Sequence, residues 1–300
     1  LLWWVPGAAM VAVTLVYAMI DDFAPANLTL FNIYLFMLGL IVMPKLLFVL
    51  SSLAGRGVRR MTGGTRNWGN YFGLLLVLGQ LYVLFMGSMT GTDHLRVRRV
   101  TVRVPDLPES FDGYRIVQFS DIHLGSMRSE LLERAVEQIN RQRPDMIAFT
   151  GDIQNMRPDE LTRHTSTLRR LHAKDGVYSV LGNHDYSQYV PKLPMQQRRH
   201  NEMLTREFHA NVGWQLLLND HRIIRRGNDS IVIAGEENDG LPPFPSKADL
   251  KRTLRGVNAR SFVVMLQHDP SAWRRSILPG SNVQLTLSGH THGGQMSLFG

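Results

Sequence analysis

Val283-Gln284-Leu285-Thr286-Leu287, followed after Ser288 by Gly289-His290-Thr291-His292-Gly293-Gly294, reads as a buried strand that opens into a tight, glycine-supported loop. Alternate residues of a strand share a face, whereas in such a loop both imidazoles can turn toward neighbouring cations. A lone His-x-His is a weak signal, equally compatible with two polar loop residues. It gains weight only from partners elsewhere in the chain.

Four upstream segments supply them: Asp121-Ile122-His123, Gly151-Asp152, Gly182-Asn183-His184-Asp185 and His268-Asp269-Pro270. Each follows a short apolar run, at 114–119, 146–150, 177–181 and 262–266 respectively, with the length and composition of a strand. Taken singly, Asp121 or Asp152 reads as a turn or cap residue, Asn183 as a turn former and His268 as a polar strand end. Five strand ends carrying oxygen and imidazole donors instead imply one shared rim, because ligands of open α/β sheets collect beyond the carboxyl ends of the strands.

The chain has 300 residues and divides near residue 90. Residues 1–90 hold five of the 33 basic residues (Lys45, Arg56, Arg59, Arg60, Arg66) and two of the 25 acids (Asp21, Asp22). The remainder carries a modest cationic surplus, compatible with anionic lipid headgroups, phosphorylated substrates or an ordinary solvated surface. No dense Lys/Arg stripe interleaved with aromatics marks a nucleic-acid platform, so no nucleic-acid partner is expected. Cysteine is absent, which removes disulfides and thiolate metal sites.

A membrane span needs roughly 20 mostly apolar residues. Leu1 to Ile20, a stretch within Leu28 to Leu53, and Tyr71 to Met89 meet that need, giving three expected spans over residues 1–90. Pro44 and Lys45 interrupt the middle one, predicting a kink and a lysine that snorkels toward a headgroup. A cleaved signal peptide is the alternative for the first, against which its length and missing cleavage pattern count. The second loop, with Arg56, Arg59, Arg60 and Arg66, falls on the cytoplasmic side by the positive-inside rule, which places residues beyond 90 outside. Arg96, Arg98, Arg99 and Arg103, close behind the last span, support the opposite side. The spans lack ionisable pairs of the kind that mark a conducting path, so anchoring is expected rather than transport.

In residues 91–300, Leu95 to Val104 alternates apolar and basic residues as a half-exposed strand would. Helices are expected over Ser129 to Gln142, Pro158 to His172, Asn201 to Asn211 and Lys247 to Leu254. Strand–helix alternation through residue 181 implies βαβ units with parallel neighbours. Short strands near 214–218, 222–225 and 231–234 imply an antiparallel second sheet. The expected fold class is α/β: two packed, mixed β-sheets flanked by helices, preceded by a transmembrane helical region. Glu236 to Asp239 reads as an acidic loop that could line the cleft, and His94, His164, His172, His200, His209 and His221 as surface or structural.

The ordered series D-x-H, G-D, G-N-H-D, H, G-H-x-H resembles the calcineurin-like metallophosphoesterase superfamily. The extended forms Phe119 to Gly125 and Gly289 to Gln295, after several membrane spans, resemble its bacterial membrane-associated branch. That resemblance implies two divalent ions (Mn, Fe or Zn), the first held by Asp121, His123, Asp152 and His292 and the second by Asp152, Asn183, His268 and His290. It implies His184 as a general acid beside the phosphate and Asp185 as the group orienting its ring. The donor types independently suit such ions, and two cations sharing a carboxylate can acidify water and clamp a phosphoryl group.

The implied activity is hydrolysis of a phosphodiester, pyrophosphate or phospholipid by a multi-pass protein of a bacterial inner or cytoplasmic membrane. One alternative is cleavage of a UDP-linked diacylglucosamine in lipid A synthesis, which needs a cytosolic active site. The other is an inactive scaffold on the same fold, although such modules usually lose ligands and none is lost here. Relatives continue past the last histidine block with further strands, so the domain over 91–300 is expected to be C-terminally incomplete. Oligomeric state has no signature in the sequence.

Overall fold

A computed structural model describes residues 3–20, 29–90, 95–190 and 192–292, and the chain forms two compact units, Leu1–Arg96 and Val97–Gly300.

The first unit is helical. Helix α1 spans Val5–Ala18, α2 Thr29–Thr62 and α3 Trp68–Thr90. Two of these are long and apolar enough to cross a bilayer: Leu30–Thr62, with mean hydropathy 2.4, and Trp68–Ser88, with 1.7. The expected span over Leu1 to Ile20 is realised as a 14-residue helix, about 21 Å at 1.5 Å per residue and short of a roughly 30 Å hydrocarbon core. Helix α2 runs on through Pro44. Lys45 donates to the carbonyl of Trp3 and lies 4.9 Å over its indole ring, so its charge is satisfied against α1.

The second unit holds two four-stranded sheets. In the first, β1 (Ile116–Phe119), β2 (Met146–Phe149), β3 (Val177–Ser179) and β4 (Gln215–Leu216) are parallel throughout. In the second, β5 (Asp220–Arg226) and β6 (Asp229–Gly235) form an antiparallel hairpin across Gly227, whose φ is +58°. Strands β7 (Phe262–Leu266) and β8 (Leu285–Leu287) then extend it in parallel. The second sheet is therefore mixed rather than antiparallel, and the 214–218 run belongs to the first sheet. Trp214 explains that placement: it packs on Phe119 and Phe149 of β1 and β2.

Side-chain alternation builds the layers. Met146 and Ala148 of β2, Ile231 and Ile233 of β6, and Phe262, Val264 and Leu266 of β7 meet in the core between the sheets. Their neighbours point outward. Ile147 and Phe149 pack beneath Leu132 and Val136 of α4 (Ser129–Arg141) and Phe208 of α6 (Met195–Asn211), while Val232, Ala234, Val263 and Met265 meet Ala272 and Ile277.

Three sequence expectations fail locally. Residues 95–104 form no strand; all but Val104 are exposed, and alternation without a partner ladder does not hold a strand. Residues 158–172 break into two 3₁₀ turns and a four-residue helix, α5 (Thr165–Leu168). There Glu160 caps the amides of Asn155, Met156 and Arg157, and threonines interrupt the run. Glu236, Asn238 and Asp239 are buried, bonded to Gln267, Pro245 and Ser276 respectively, so this stretch is not a solvated acidic loop. Two helices differ in extent: α6 begins six residues early, behind Pro194, and α7 shrinks to Leu250–Thr253.

Candidate metal centre

The carboxyl ends of β1, β2, β3, β7 and β8 open at one rim, and the rim joins the two sheets. Just beyond β1, the Asp121 amide donates to Gly151 O at 3.0 Å and the His123 amide to Asp152 O at 3.3 Å, tying the first two donor segments together. On the other sheet, the Gly289 amide donates to His268 O at 3.0 Å. A link between the sheets comes from Asp121, whose carboxylate oxygens accept the His290 amide at 3.1 and 3.0 Å.

Asp121, His123, Asp152, His290 and His292 all have positive φ, between 42° and 72°. Non-glycine residues rarely adopt this left-handed conformation, and its concentration in one place is typical of functional sites. These five residues turn sharply out of strands, which directs their side chains across the rim rather than along it.

Two donor groups result. Asp121, His123, Asp152 and His292 each offer an atom within 4.8 Å of the others; so do Asp152, His268 and His290. Asp152 is common to both. Asn183 joins the second group, its Oδ1 standing 3.0 Å from His268 Nε2.

The donor chemistry fits divalent ions. His123 Nδ1 faces Gln154 O at 3.1 Å and His268 Nδ1 faces Thr150 O at 2.7 Å; carbonyls only accept, so each Nδ1 carries the proton and Nε2 turns inward. There His123 Nε2 meets His292 Nε2 at 3.2 Å and lies 3.8 Å from Asp152 Oδ2, while His292 Nε2 stands 3.4 Å from Asp121 Oδ1. Lone pairs and carboxylates converging this closely suit a shared cation.

Electrostatics agrees. Burial pulls His123 below the ordinary histidine range, and the neighbouring His184 and His292 pull it the same way; burial and His268 do likewise for His290. Burial opposes charge on Asp152, yet the hydrogen bond and charge of His268 hold it down to about 2. Reciprocally, Asp152, 3.3 Å away, lifts His268 to about 9 against its own burial.

His184 lies outside both donor groups, its ring edge-on to His123 at 4.7 Å and its Nδ1 2.5 Å from Asn155 O. Asp185 has different partners from those expected. Its carboxylate accepts the amides of Gly182 at 2.8 Å, Asp152 and Ile153 at 2.9 Å and Gln154 at 3.3 Å, so it fixes the loop after β2 and leaves the His184 ring to Asn155. Burial, with the charge of Asp152, pushes Asp185 up to about 7 against the pull of these amides.

Sequence reasoning missed Tyr189, whose hydroxyl accepts from Asn183 Nδ2 at 2.7 Å and whose ring lies 4.4 Å from that of His184. It also missed Phe244, edge-on to His290 at 5.0 Å. Neither sits in a patterned stretch. The carbonyls that orient the imidazoles leave no trace in residue identity.

Two donor groups that share one carboxylate line this rim, where they could hold two divalent ions. The chain belongs to the calcineurin-like phosphoesterase family, whose model matches residues 114–294. It is 32% identical over 202 residues to the uncharacterized metallophosphoesterase YkuE of Bacillus subtilis, covering 66% of this chain and 65% of that one. It is 29% identical over 230 residues to a transmembrane protein with metallophosphoesterase domain of Danio rerio, covering 74% and 50%. The UDP-2,3-diacylglucosamine pyrophosphatase LpxG of Chlamydia trachomatis is 28% identical over 243 residues, covering 68% and 71%. The chain thus spans half to two thirds of the length of the first two relatives.

Proposed function

We propose that this chain is a membrane-anchored, metal-dependent phosphoesterase that hydrolyses a phosphodiester, pyrophosphate or phospholipid. The observation that carries the reading is the shared carboxylate: Asp152 belongs to both donor groups, and it is buried with its charge maintained. Asp121, His123, Asp152 and His292 would hold one divalent ion, and Asp152, Asn183, His268 and His290 a second. Bound there, such ions supply the positive charge that polarises a phosphoryl oxygen and acidifies water.

The chain's own residues supply the rest. Thr150 O and Gln154 O fix the tautomers of His268 and His123. Tyr189 turns the Asn183 amide so that Oδ1 faces His268. With Nδ1 committed to Asn155 O, His184 keeps Nε2 as the atom that can pass a proton to a leaving oxygen.

α2 and α3 support the anchor, and the arginines in the last turns of α2 and the loop to α3 (Arg56, Arg59, Arg60 and Arg66) support a multi-pass arrangement in a bacterial inner membrane with the catalytic unit outside. A second reading, cleavage of a nucleotide-linked diacyl sugar, draws support from the similarity to LpxG and requires the catalytic unit in the cytosol. A tag at Gly300 that protease reaches only from outside would remove it.

The test is hydrolysis of an aryl phosphodiester by metal-stripped protein resupplied with Mn, Fe, Zn or Mg, beside Asp152→Asn and His184→Ala. Turnover that requires metal and disappears in both variants is the expected result. A folded protein inactive with every metal would favour a binding scaffold.

A further inference from the structure

The helical unit holds a cavity unrelated to the metal centre. It lies where α2 passes to α3, with a volume of about 830 Å³. Its lining combines apolar Leu50, Val58, Trp68 and Phe72 with cationic Arg59 and Arg66. The crossing of the helices creates it. Gly55 and Gly69, both in its lining, bring the two backbones so close that a Cβ on Gly69 would lie 2.7 Å from Gly55 Cα.

Among the described residues of this unit there is no carboxylate to answer the cations. From Trp3 to Thr90 the sequence contains only two acids, Asp21 and Asp22, and both lie outside the described residues. Arg59 and Arg66 are exposed. Along α2, Leu50 to Arg59 is nine residues, about 13 Å at 1.5 Å per residue, and Val58 adjoins Arg59, so apolar lining starts beside the charge and runs along the helix toward Leu50. Trp68 is exposed at the start of α3, and tryptophan is enriched at the ends of membrane-spanning helices.

We propose that this groove binds one anionic glycerophospholipid, its phosphate between Arg59 and Arg66 and the start of an acyl chain along Leu50 and Phe72. Guanidinium groups suit phosphate because they bind it bidentately, and anionic lipids enrich the leaflet toward which arginine-rich loops point. The proposal rests on the reading that α2 and α3 cross a bilayer.

The full chain, reconstituted in vesicles of phosphatidylcholine with or without phosphatidylglycerol, is tested for flotation and then, after gentle extraction, for retained lipid by native mass spectrometry. Expected is retention of one phosphatidylglycerol, weakened about tenfold or more in Arg59→Gln/Arg66→Gln. The control Arg56→Gln/Arg60→Gln removes the same charge from arginines that do not line the groove, and it should retain the lipid within about twofold. Equal losses in both variants would mean diffuse surface attraction and overturn the site, as would equal retention of phosphatidylcholine. Displacement by equimolar inorganic phosphate would also overturn it, because the apolar wall would then contribute nothing. Helical circular dichroism unchanged in all variants confirms that the helical unit folds. A chain that fails to float sinks the membrane reading itself, whereas one that floats without retaining phosphatidylglycerol sinks only the groove.

Discussion

Asp185 turns its carboxylate away from the adjacent His184 ring and gathers the backbone amides of Gly182, Asp152, Ile153 and Gln154. Neighbours in sequence, the two residues thus have separate tasks, one holding the loop that carries Asp152 and the other facing the rim. Asp185→Asn presents an NH₂ group to amides that need an acceptor, and should cost about 3 kcal/mol from buried donors left unmet. Urea unfolding measures it. A variant of unchanged stability with only kcat reduced would return Asp185 to the role of orienting His184.

His184→Ala should behave in the opposite way. Both metals remain bound and the urea midpoint stays near that of the parent, while kcat falls about 10²- to 10⁴-fold, the usual span for a lost proton donor. Elemental analysis alongside kinetics separates this from a ligand role, in which metal content would drop.

Metal stoichiometry should follow the donor groups. With two ions bound to the parent, His290→Ala removes a donor of the second group and should leave one bound tightly. Asp152→Asn affects both groups and should leave neither held at micromolar metal. Titration calorimetry on the stripped protein reads the difference, and equal stoichiometry in the two variants would contradict a shared carboxylate.

Acid stability is predicted to depend on His209, a residue outside both donor groups. The side chain is fully buried against Trp214 and Phe149, with Nδ1 2.9 Å from Ser179 Oγ and Nε2 without a partner among the described residues. Burial lowers its pKa to about 3. Below the ordinary value of about 6.5 the unfolded chain takes a proton that the folded chain refuses, so stability is whole above 6.5 and falls as pH drops toward 3. The slope is about 1.4 kcal/mol per pH unit. His209→Phe should flatten that limb; parallel stability curves for the two chains between pH 7 and 5 would disprove it.

The sequence made the rim legible because its donors sit at abrupt boundaries, where apolar strands such as 146–149 or 262–266 stop at Asp, Asn or His. The inward and outward alternation of Met146, Ile147, Ala148 and Phe149 was equally available, since burial on both faces is written as an unbroken apolar run. Partner choice was not. Whether Gln215 pairs with β3 or with β5 depends on Trp214 finding Phe149 across the sheet, a contact between residues 65 positions apart. Residues 95–104 misled for the converse reason, a correct period without a partner. Asp185 was misplaced because amides carry no side-chain label.

The donors of each group are drawn from both sheets, with Asp121, His123 and Asp152 on the first and His268, His290 and His292 on the second. A chain in which the two sheets have not yet met has neither donor group complete, so metal uptake at these groups would require the sheets to have docked. The reverse also holds: ions bound at this seam act as a rivet, and they stabilise the docked pair by an amount that grows with the logarithm of their concentration.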